Sequence, residues 1–369
     1  MKQLLRIIIS GGGTGGHIFP AIAIADAMKK LHPDADILFI GAENRMEMSR
    51  VPAAGYPIKG LWISGFQRNF SMQNLLFPFK VIVSYLRARQ IVKKFNPDCV
   101  IGVGGYASGP TLRAAISLGC KTLIQEQNSF PGVTNRILAG KVDRICVAYE
   151  KMDKWFPAHK TILTGNPLRR SAVEIEGKKE EAMSFFGLSK DKKVLLIVGG
   201  SQGARAINLG IAAHIIKYLD SGIQVIWQTG EGFCEQAVEV VKASNAMNLI
   251  KVFAFIQRMD LAYAAADCII SRAGAIAISE MAVIGKPVIF VPLPTAAEDH
   301  QTQNALRLVK SEAALLVKNN ETGEKLFSEV SVLMADSLKM SKLSKNIKLF
   351  AIENSDNLIA NEIIKLIES

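Results

Sequence analysis

The sequence predicts an α/β protein built from two doubly wound, parallel-sheet domains, and three observations carry that expectation. Short branched apolar runs such as Ile7-Ile8-Ile9, Val100-Ile101 and Leu195-Leu196-Ile197 read as strands buried on both faces of a parallel sheet. Each run leads into a glycine loop and then a helix-forming stretch, the unit that needs a parallel neighbour. The pattern starts afresh at Lys193, and 369 residues exceed one ordinary core.

The first unit is the most informative. In Leu5 to Ala21 the strand Ile7–Ile9 is followed by Gly11, Gly12, Gly13, Gly15 and Gly16 around Thr14, where bare backbone turns tightly and approaches a ligand. A helix is expected from Pro20, with proline in its first turn. Strand, glycine loop and helix N-terminus together suit an anion, most often phosphate; a tight turn without ligand is the alternative. Gly11-x-Gly13-x-x-Gly16 also satisfies the dinucleotide fingerprint. That fingerprint needs a ribose-binding acid at the end of the second strand, but Asp36–Ile40 runs into Gly41 and Ala42, and Glu43 comes late. His17, directly after the glycines, has no place in a cofactor loop.

Further along, 98–106 is a second buried strand with its glycine loop, continuing from Ala107 into a helix through Leu118. Lys121–Ile124 is a short strand emptying into Gln125-Glu126-Gln127-Asn128, four polar side chains at a strand's C-terminal edge and so candidate ligand contacts. Strands at 143–148 and 160–163 close this domain, and 164–169 reads as a linker because glycine and proline end regular structure. In the second half, strands are expected at 193–198, 224–230, 250–256, 267–272 and 288–292, with a short helix at 260–266. A helix opens at 273–281, and 293–304 reads as a polar loop holding Asp299, His300 and Gln301. Domain boundaries are set at 1–165, 166–350 and 351–369, the last a helix able to pack back on the first domain. Two such domains make a cleft with one glycine loop per side, a donor-and-acceptor layout.

Composition narrows the setting. No apolar run is long enough to span a bilayer and the chain enters a strand at once, so a cytoplasmic location is expected. Of five cysteines, Cys99, Cys146 and Cys268 sit in strand-like runs with no Cys-x-x-Cys pair, which points to buried reduced thiols. The net charge of +11 is uneven: residues 1–165 hold 21 Lys+Arg against 10 Asp+Glu, leaving 44 − 21 = 23 and 33 − 10 = 23 for the rest. A basic face suits anionic lipid, a phosphorylated substrate or nucleic acid; sparse aromatics among the basic residues argue against stacked bases, so no nucleic-acid partner is expected.

Plotted at helical periodicity, Leu75 to Phe95 has a charge-free face of Val81, Tyr85, Ala88, Val92 and Phe95 for the core. A second apolar face of Phe79, Ile82, Val83 and Leu86, preceded by Leu75 and Leu76, is bordered by Lys80, Arg87, Lys93 and Lys94. Such a face reads as an interfacial contact with an anionic membrane surface. The alternative is a helix sandwiched between two protein layers.

Seven motifs then occur in one order: 12–17 (Gly-Gly-Thr-Gly-Gly-His), 104–110 (Gly-Gly-Tyr-Ala-Ser-Gly-Pro), 126–128 (Glu-Gln-Asn), 165–169 (Gly-Asn-Pro-Leu-Arg), 199–204 (Gly-Gly-Ser-Gln-Gly-Ala), 271–275 (Ser-Arg-Ala-Gly-Ala) with Glu280, and 299–301 (Asp-His-Gln). From residue 4 to about 310 the chain resembles the MurG family of bacterial peptidoglycan N-acetylglucosaminyltransferases. The resemblance implies a GT-B fold and inverting, metal-independent transfer of N-acetylglucosamine from UDP-GlcNAc to the C4 hydroxyl of the muramyl sugar of lipid I. The product would be lipid II, made at the cytoplasmic face of the membrane by a peripheral enzyme associated with the cell-wall and division machinery. No cofactor and no metal are implied.

Carried over by motif, Glu280 would bind the ribose hydroxyls and the Ile256 backbone would read uracil. Ser201 and the helix start Gly274, Ala275, Ile276, Ala277, Ile278 and Ser279 would take the diphosphate. Arg169 would add charge, Asn128 and Gln301 would hold the sugar, and Thr14, Gly15 and Gly16 would touch the donor. Gly13, His17, Gly104, Gly105, Tyr106 and Ser108 would face the lipid-linked diphosphate of the acceptor. Ala277 departs from the family pattern, which has threonine there, and puts one hydroxyl contact in doubt.

The chemistry needs a base, charge stabilisation for departing UDP and exclusion of water. His17 is the first candidate base because it titrates near neutral pH, and Glu126 the second if burial raises its pKa; His17 could instead orient the acceptor phosphate. Asp34-Ala35-Asp36 is a literal Asp-x-Asp, but it precedes the second strand at the end away from the cleft and reads as a solvated loop. The rivals are another UDP-sugar transferase acting on a lipid, a dinucleotide-dependent oxidoreductase, and a non-catalytic lipid- or RNA-binding protein.

Overall fold

The computed structural model describes residues 4–64, 77–200, 203–294 and 299–369. It divides into two compact units, Met1–Arg169 with Ile352–Ser369, and Arg170–Ala351.

The first unit holds a seven-stranded sheet of β1 (Arg6–Gly11), β2 (Asp36–Ala42), β3 (Ile58–Leu61), β4 (Cys99–Gly104), β5 (Lys121–Glu126), β6 (Arg144–Val147) and β7 (Thr161–Leu163). Their order is β3-β2-β1-β4-β5-β6-β7, every pair parallel. The isoleucine run of β1 explains its central place. Ile7 and Ile9 enter one layer with helices Gly15–Leu31 and Ser355–Glu368, while Ile8 enters the other with Ala88 and Val92 of helix Phe77–Phe95. All three isoleucines are fully buried, each contributing roughly 1.5–3 kcal/mol. Helix Ser355–Glu368 docks on the first unit through Ile359, Ala360, Ile363 and Leu366.

The second unit holds β8 (Val194–Val198), β9 (Gln224–Gln228), β10 (Ile250–Phe253), β11 (Cys268–Ser271), β12 (Val288–Phe290) and β13 (Leu315–Leu316), ordered β10-β9-β8-β11-β12-β13 and again all parallel. Leu195 and Ile197 face one core layer and Val194 and Leu196 the other.

Three sequence readings are corrected. The first helix begins at Gly15, not Pro20, because the Thr14 carbonyl already accepts from the His17 and Ile18 N–H groups, each at 3.1 Å. Pro20 is tolerated inside, where its ring removes one helical hydrogen bond. The stretch 293–304 is not wholly loop, since helix His300–Lys310 starts within it. The polar run after β5 is not an open row of ligand contacts: β5 continues to Glu126, and Gln125 and Gln127 are buried. Their amides serve the fold, Gln125 Nε2 donating to Asn166 Oδ1 at 3.3 Å and Gln127 Nε2 to the Val103 carbonyl at 2.6 Å.

Candidate active site

In each sheet the strand order reverses at one point, between β1 and β4 and between β8 and β11. Loops leaving the C-terminal ends of strands at such a point diverge and open a crevice for ligands. The glycine motifs occupy these four loops.

In the first unit the two loops pack backbone against backbone. Gly105 has φ +84°, and a Cβ there would run into the Gly12 carbonyl. Gly119 has a similar φ of +73° but open space around it. Gly105→Ala is therefore expected to cost more than the roughly 1–3 kcal/mol of backbone strain alone, and Gly119→Ala only that strain. Thermal melts of the two variants side by side check this; equal losses would mean that the loops do not depend on contact.

His17 lies in the first turn of helix Gly15–Leu31, so helix geometry rather than a loop aims its ring. Nδ1 is 3.4 Å from Thr14 Oγ1, and the ring rests on Gly104, where a Cβ would come within 2.6 Å of Cδ2. Burial pulls the imidazole pKa below its ordinary value; the Gly12 carbonyl, accepting from the ring, and the Glu47 carboxylate act the other way. The ring is thus mainly neutral near pH 7 and able to take a proton. Tyr106 is half exposed beside Gly13, and Ser108 is buried, its Oγ without a hydrogen-bond partner among the described residues.

Glu126 has both oxygens committed to its own loop. Oε1 accepts from Asn128 N at 2.9 Å and Asn128 Nδ2 at 3.2 Å, and Oε2 accepts from Gly132 N at 3.0 Å and Asn135 Nδ2 at 2.8 Å. Burial raises its pKa and the four donors oppose the rise. It orders residues 127–135 and, through them, Asn128. Arg169 places its guanidinium 4.4 Å from the Phe19 ring centroid, and Phe19 itself lies against Gly15.

Sequence reasoning missed Glu47. It is fully buried, with Oε2 accepting from Gly13 N and Oε1 from Ala42 N, both at 2.9 Å. The glycine loop thus already holds an anion, one built into the chain. Its signal was present as the next acid after Glu43, ahead of an acid-free stretch to Pro97.

In the second unit, Gly203 has φ +77°, and a Cβ there would strike the Thr229 carbonyl, which keeps the loop after β8 close to β9. Ser201 in this loop lies outside the described residues. Helix Ala275–Ile284 starts after Gly274, in extended conformation and with no side-chain cap, so the first-turn N–H groups of Ala275, Ile276 and Ala277 have no acceptor within the helix. Ile278 is buried, and Ser279 Oγ donates to the Ala275 carbonyl at 3.1 Å. Glu280, further along this helix, accepts from Tyr263 Oη at 2.8 Å through Oε2. Ile256 N donates to Gln228 Oε1 at 3.0 Å, and Gln301 Oε1 accepts from Leu293 N at 3.0 Å. Of the residues that the sequence assigns to a donor, Thr14, Gly15, Gly16, Asn128 and Arg169 belong to the first unit, and Ile256, Gly274 to Glu280 and Gln301 to the second.

No cluster of three metal-ligating side chains occurs among the described residues. Asp34 and Asp36 lie at the start of β2, opposite the glycine loops. On helix Phe77–Phe95, Ser84, Ala88 and Val92 are buried, while Phe79, Ile82 and Leu86 are 57%, 57% and 53% exposed. Three of the four second-face side chains are thus open, and Val83 is partly buried. Lys80 is tied to Ser64 Oγ at 3.1 Å and lies over the Trp62 ring; Arg87 has only a loose 3.9 Å pairing with Glu43. Leu75 and Leu76 lie outside the described residues, none of whose helices is long and apolar enough to cross a membrane.

Two parallel sheets in one chain, each with glycine loops at its reversal point, define the GT-B class, which handles nucleotide-activated sugars. A model of the glycosyltransferase family 28 N-terminal domain matches residues 7–147, and one of the family's C-terminal domain matches 194–361. The chain belongs to glycosyltransferase family 28. A UDP-N-acetylglucosamine--N-acetylmuramyl-(pentapeptide) pyrophosphoryl-undecaprenol N-acetylglucosamine transferase of Christiangramia forsetii is 52% identical over 369 residues, covering 100% of both chains. A Bacteroides fragilis protein of the same name is 52% identical, covering 98% of this chain and 96% of its own. The crystal structure of Acinetobacter baumannii MurG superposes with TM-score 0.76 at 28% identity, covering 98% of this chain and 99% of that one.

Proposed function

We propose that this chain transfers N-acetylglucosamine from UDP-GlcNAc to the C4 hydroxyl of the muramyl sugar of undecaprenyl-pyrophosphoryl-MurNAc-pentapeptide (lipid I), giving lipid II with inversion. The observation that carries this reading is the 52% identity, over the whole length, to a protein named for that transfer. Inversion follows from a single displacement: the C4 oxygen attacks the anomeric carbon opposite UDP, the bond to the diphosphate breaks, and the hydroxyl proton passes to a base.

In this reading the second unit holds the donor. The uncapped start of helix Ala275–Ile284 meets the diphosphate together with Ser201, and its dipole takes up charge as UDP leaves. Glu280 accepts from both ribose hydroxyls, the Ile256 backbone reads uracil, and Gln301 and Asn128 hold the sugar. The first unit holds the acceptor against Gly13, Gly104, Gly105, Tyr106 and Ser108, with His17 as base. Thr14, Gly15, Gly16 and Arg169 add contacts to the donor. The exposed apolar face of helix Phe77–Phe95 seats the enzyme on the cytoplasmic face of the membrane, where a polyprenyl-linked acceptor lies.

UDP release from UDP-GlcNAc, with and without a soluble lipid I analogue, tests this directly, and release independent of the analogue would refute it. In the same assay Glu280→Ala should raise the KM for UDP-GlcNAc about tenfold or more, since charge-assisted hydrogen bonds worth roughly 1.5–3 kcal/mol are lost. An unchanged KM would remove Glu280 from the ribose site.

A further inference from the structure

We propose that Glu47 is the positioning residue of the reacting centre in the first unit: its buried carboxylate is the internal anion that fixes the Gly12–Gly13 backbone against which His17 is set. Nothing about a glycine loop requires such a group. In a cofactor-binding loop of this kind the backbone N–H groups are kept for a phosphate. Here Gly13 N–H is already taken by Glu47 Oε2, and Oε1 ties the same carboxylate to Ala42 at the end of β2. One side chain thus clamps two strand ends and their loop.

The packing around it excludes a casual placement. A Cβ at Gly12 or at Gly41 would collide with the Glu47 side chain, so both glycines make room for it. Glu47 opens helix Glu47–Ala53 and is fully buried. An unpaired carboxylate could not be left there, and the two N–H donors are what stabilise it. The clamped Gly12 in turn presents its carbonyl to the imidazole of His17 and blocks a Cβ at Gly105.

The groups facing His17 are few. Thr14 contributes a hydroxyl near Nδ1, β4 contributes the bare backbone of Gly104, and Gly12 contributes its carbonyl. The charge acting on the ring is that of Glu47, and it favours the protonated imidazole against the stronger effect of burial. Glu47 therefore acts in two ways: it sets the loop geometry and raises the basicity of a ring that burial would otherwise depress further. It is fully buried with both oxygens committed to backbone N–H groups, so it works through His17 and the loop. The kinetic part rests on His17 being the base, whereas the titration below does not.

The test uses the full chain with Glu47→Gln, which keeps the shape, removes the charge and turns an amide N–H toward one of the two backbone N–H groups. NMR titration of histidine-labelled enzyme, with His17→Ala identifying the resonance among the five histidines, should show the His17 pKa moved to lower pH than in the wild type. In UDP-release kinetics, kcat should drop roughly tenfold or more with its acid limb moved to lower pH, while the KM for UDP-GlcNAc stays within about twofold. Glu47→Asp restores the charge with a shorter reach; His17 should then titrate near the wild-type pH while kcat stays several-fold low. It also carries the test if the Gln variant does not fold. A His17 titration unchanged in Glu47→Gln, or wild-type kcat in either variant, would overturn the proposal. Wild-type enzyme with no acceptor-dependent UDP release, in a chain whose His17 titration still shifts in Glu47→Gln, would instead count against the transferase reading.

Discussion

His17→Ala is expected to lower kcat about a hundredfold or more, the usual share of a well-placed general base. The expectation rests on where the ring is held. Helix geometry, Gly104 and the Gly12 carbonyl fix its position, and burial keeps it neutral when a proton must be taken. The sign of the pH dependence follows. Because the pKa lies below the ordinary histidine value, the wild-type rate should be fully present at neutral pH and fall as pH drops through that lowered value. His17→Ala should lose this acid limb along with the rate. Should only the acceptor KM change, His17 would be a binding residue. Glu126 would then have to serve as base, at the cost of releasing at least one of its four hydrogen bonds.

The second large effect concerns the membrane. Ile82→Glu with Leu86→Glu should abolish sedimentation with anionic vesicles and sharply reduce turnover of a long-chain lipid acceptor, while turnover of a short soluble acceptor stays nearly intact. Burying each such side chain at the headgroup boundary contributes roughly 1.5–3 kcal/mol at most. Each nearby cation adds about 1 kcal/mol against anionic lipid. Lys80 is partly engaged with Ser64 and Trp62, and Arg87 is only loosely paired, so the apolar part should dominate. High salt should then weaken wild-type vesicle binding only in part. Both residues are more than half exposed, so the double variant should melt within a few degrees of wild type; an unfolded variant would mean that this face is core.

How much of this could be read from the sequence depended on whether the signal was local. Ile7 to Ile9 and Leu195 to Ile197 announced two-faced burial because a parallel strand admits little else, and the glycine loops fell at the reversal point of each sheet. The helix start was misplaced by five residues because proline favours a first turn, whereas the Thr14 carbonyl starts the helix earlier. Gln125 and Gln127 looked like ligand contacts because polarity alone does not say which way a side chain turns; their partners, Asn166 and Val103, are distant in sequence. Glu47 stood out as the last acid before a long acid-free stretch, but its inward turn was hidden for the same reason. An acid was sought at the end of β2 to bind a ribose; Glu43 there pairs loosely with Arg87, and Glu47 beyond it turns inward to bind the loop itself.

The docking of helix Ser355–Glu368 on the first unit has a consequence for how the chain is made. The segment Arg170–Ala351 is continuous and has its own sheet, so it can fold as soon as it leaves the ribosome. The first unit is emitted earlier but lacks one covering helix until Ile352 and its successors emerge, 352 − 169 = 183 residues later. At about 5–20 residues per second that is a wait of roughly ten to forty seconds. Throughout it, the flank of helix Gly15–Leu31 that Ile359, Ile363 and Leu366 later cover stands open to water or to a chaperone. The older half of the nascent chain is therefore the last to be finished.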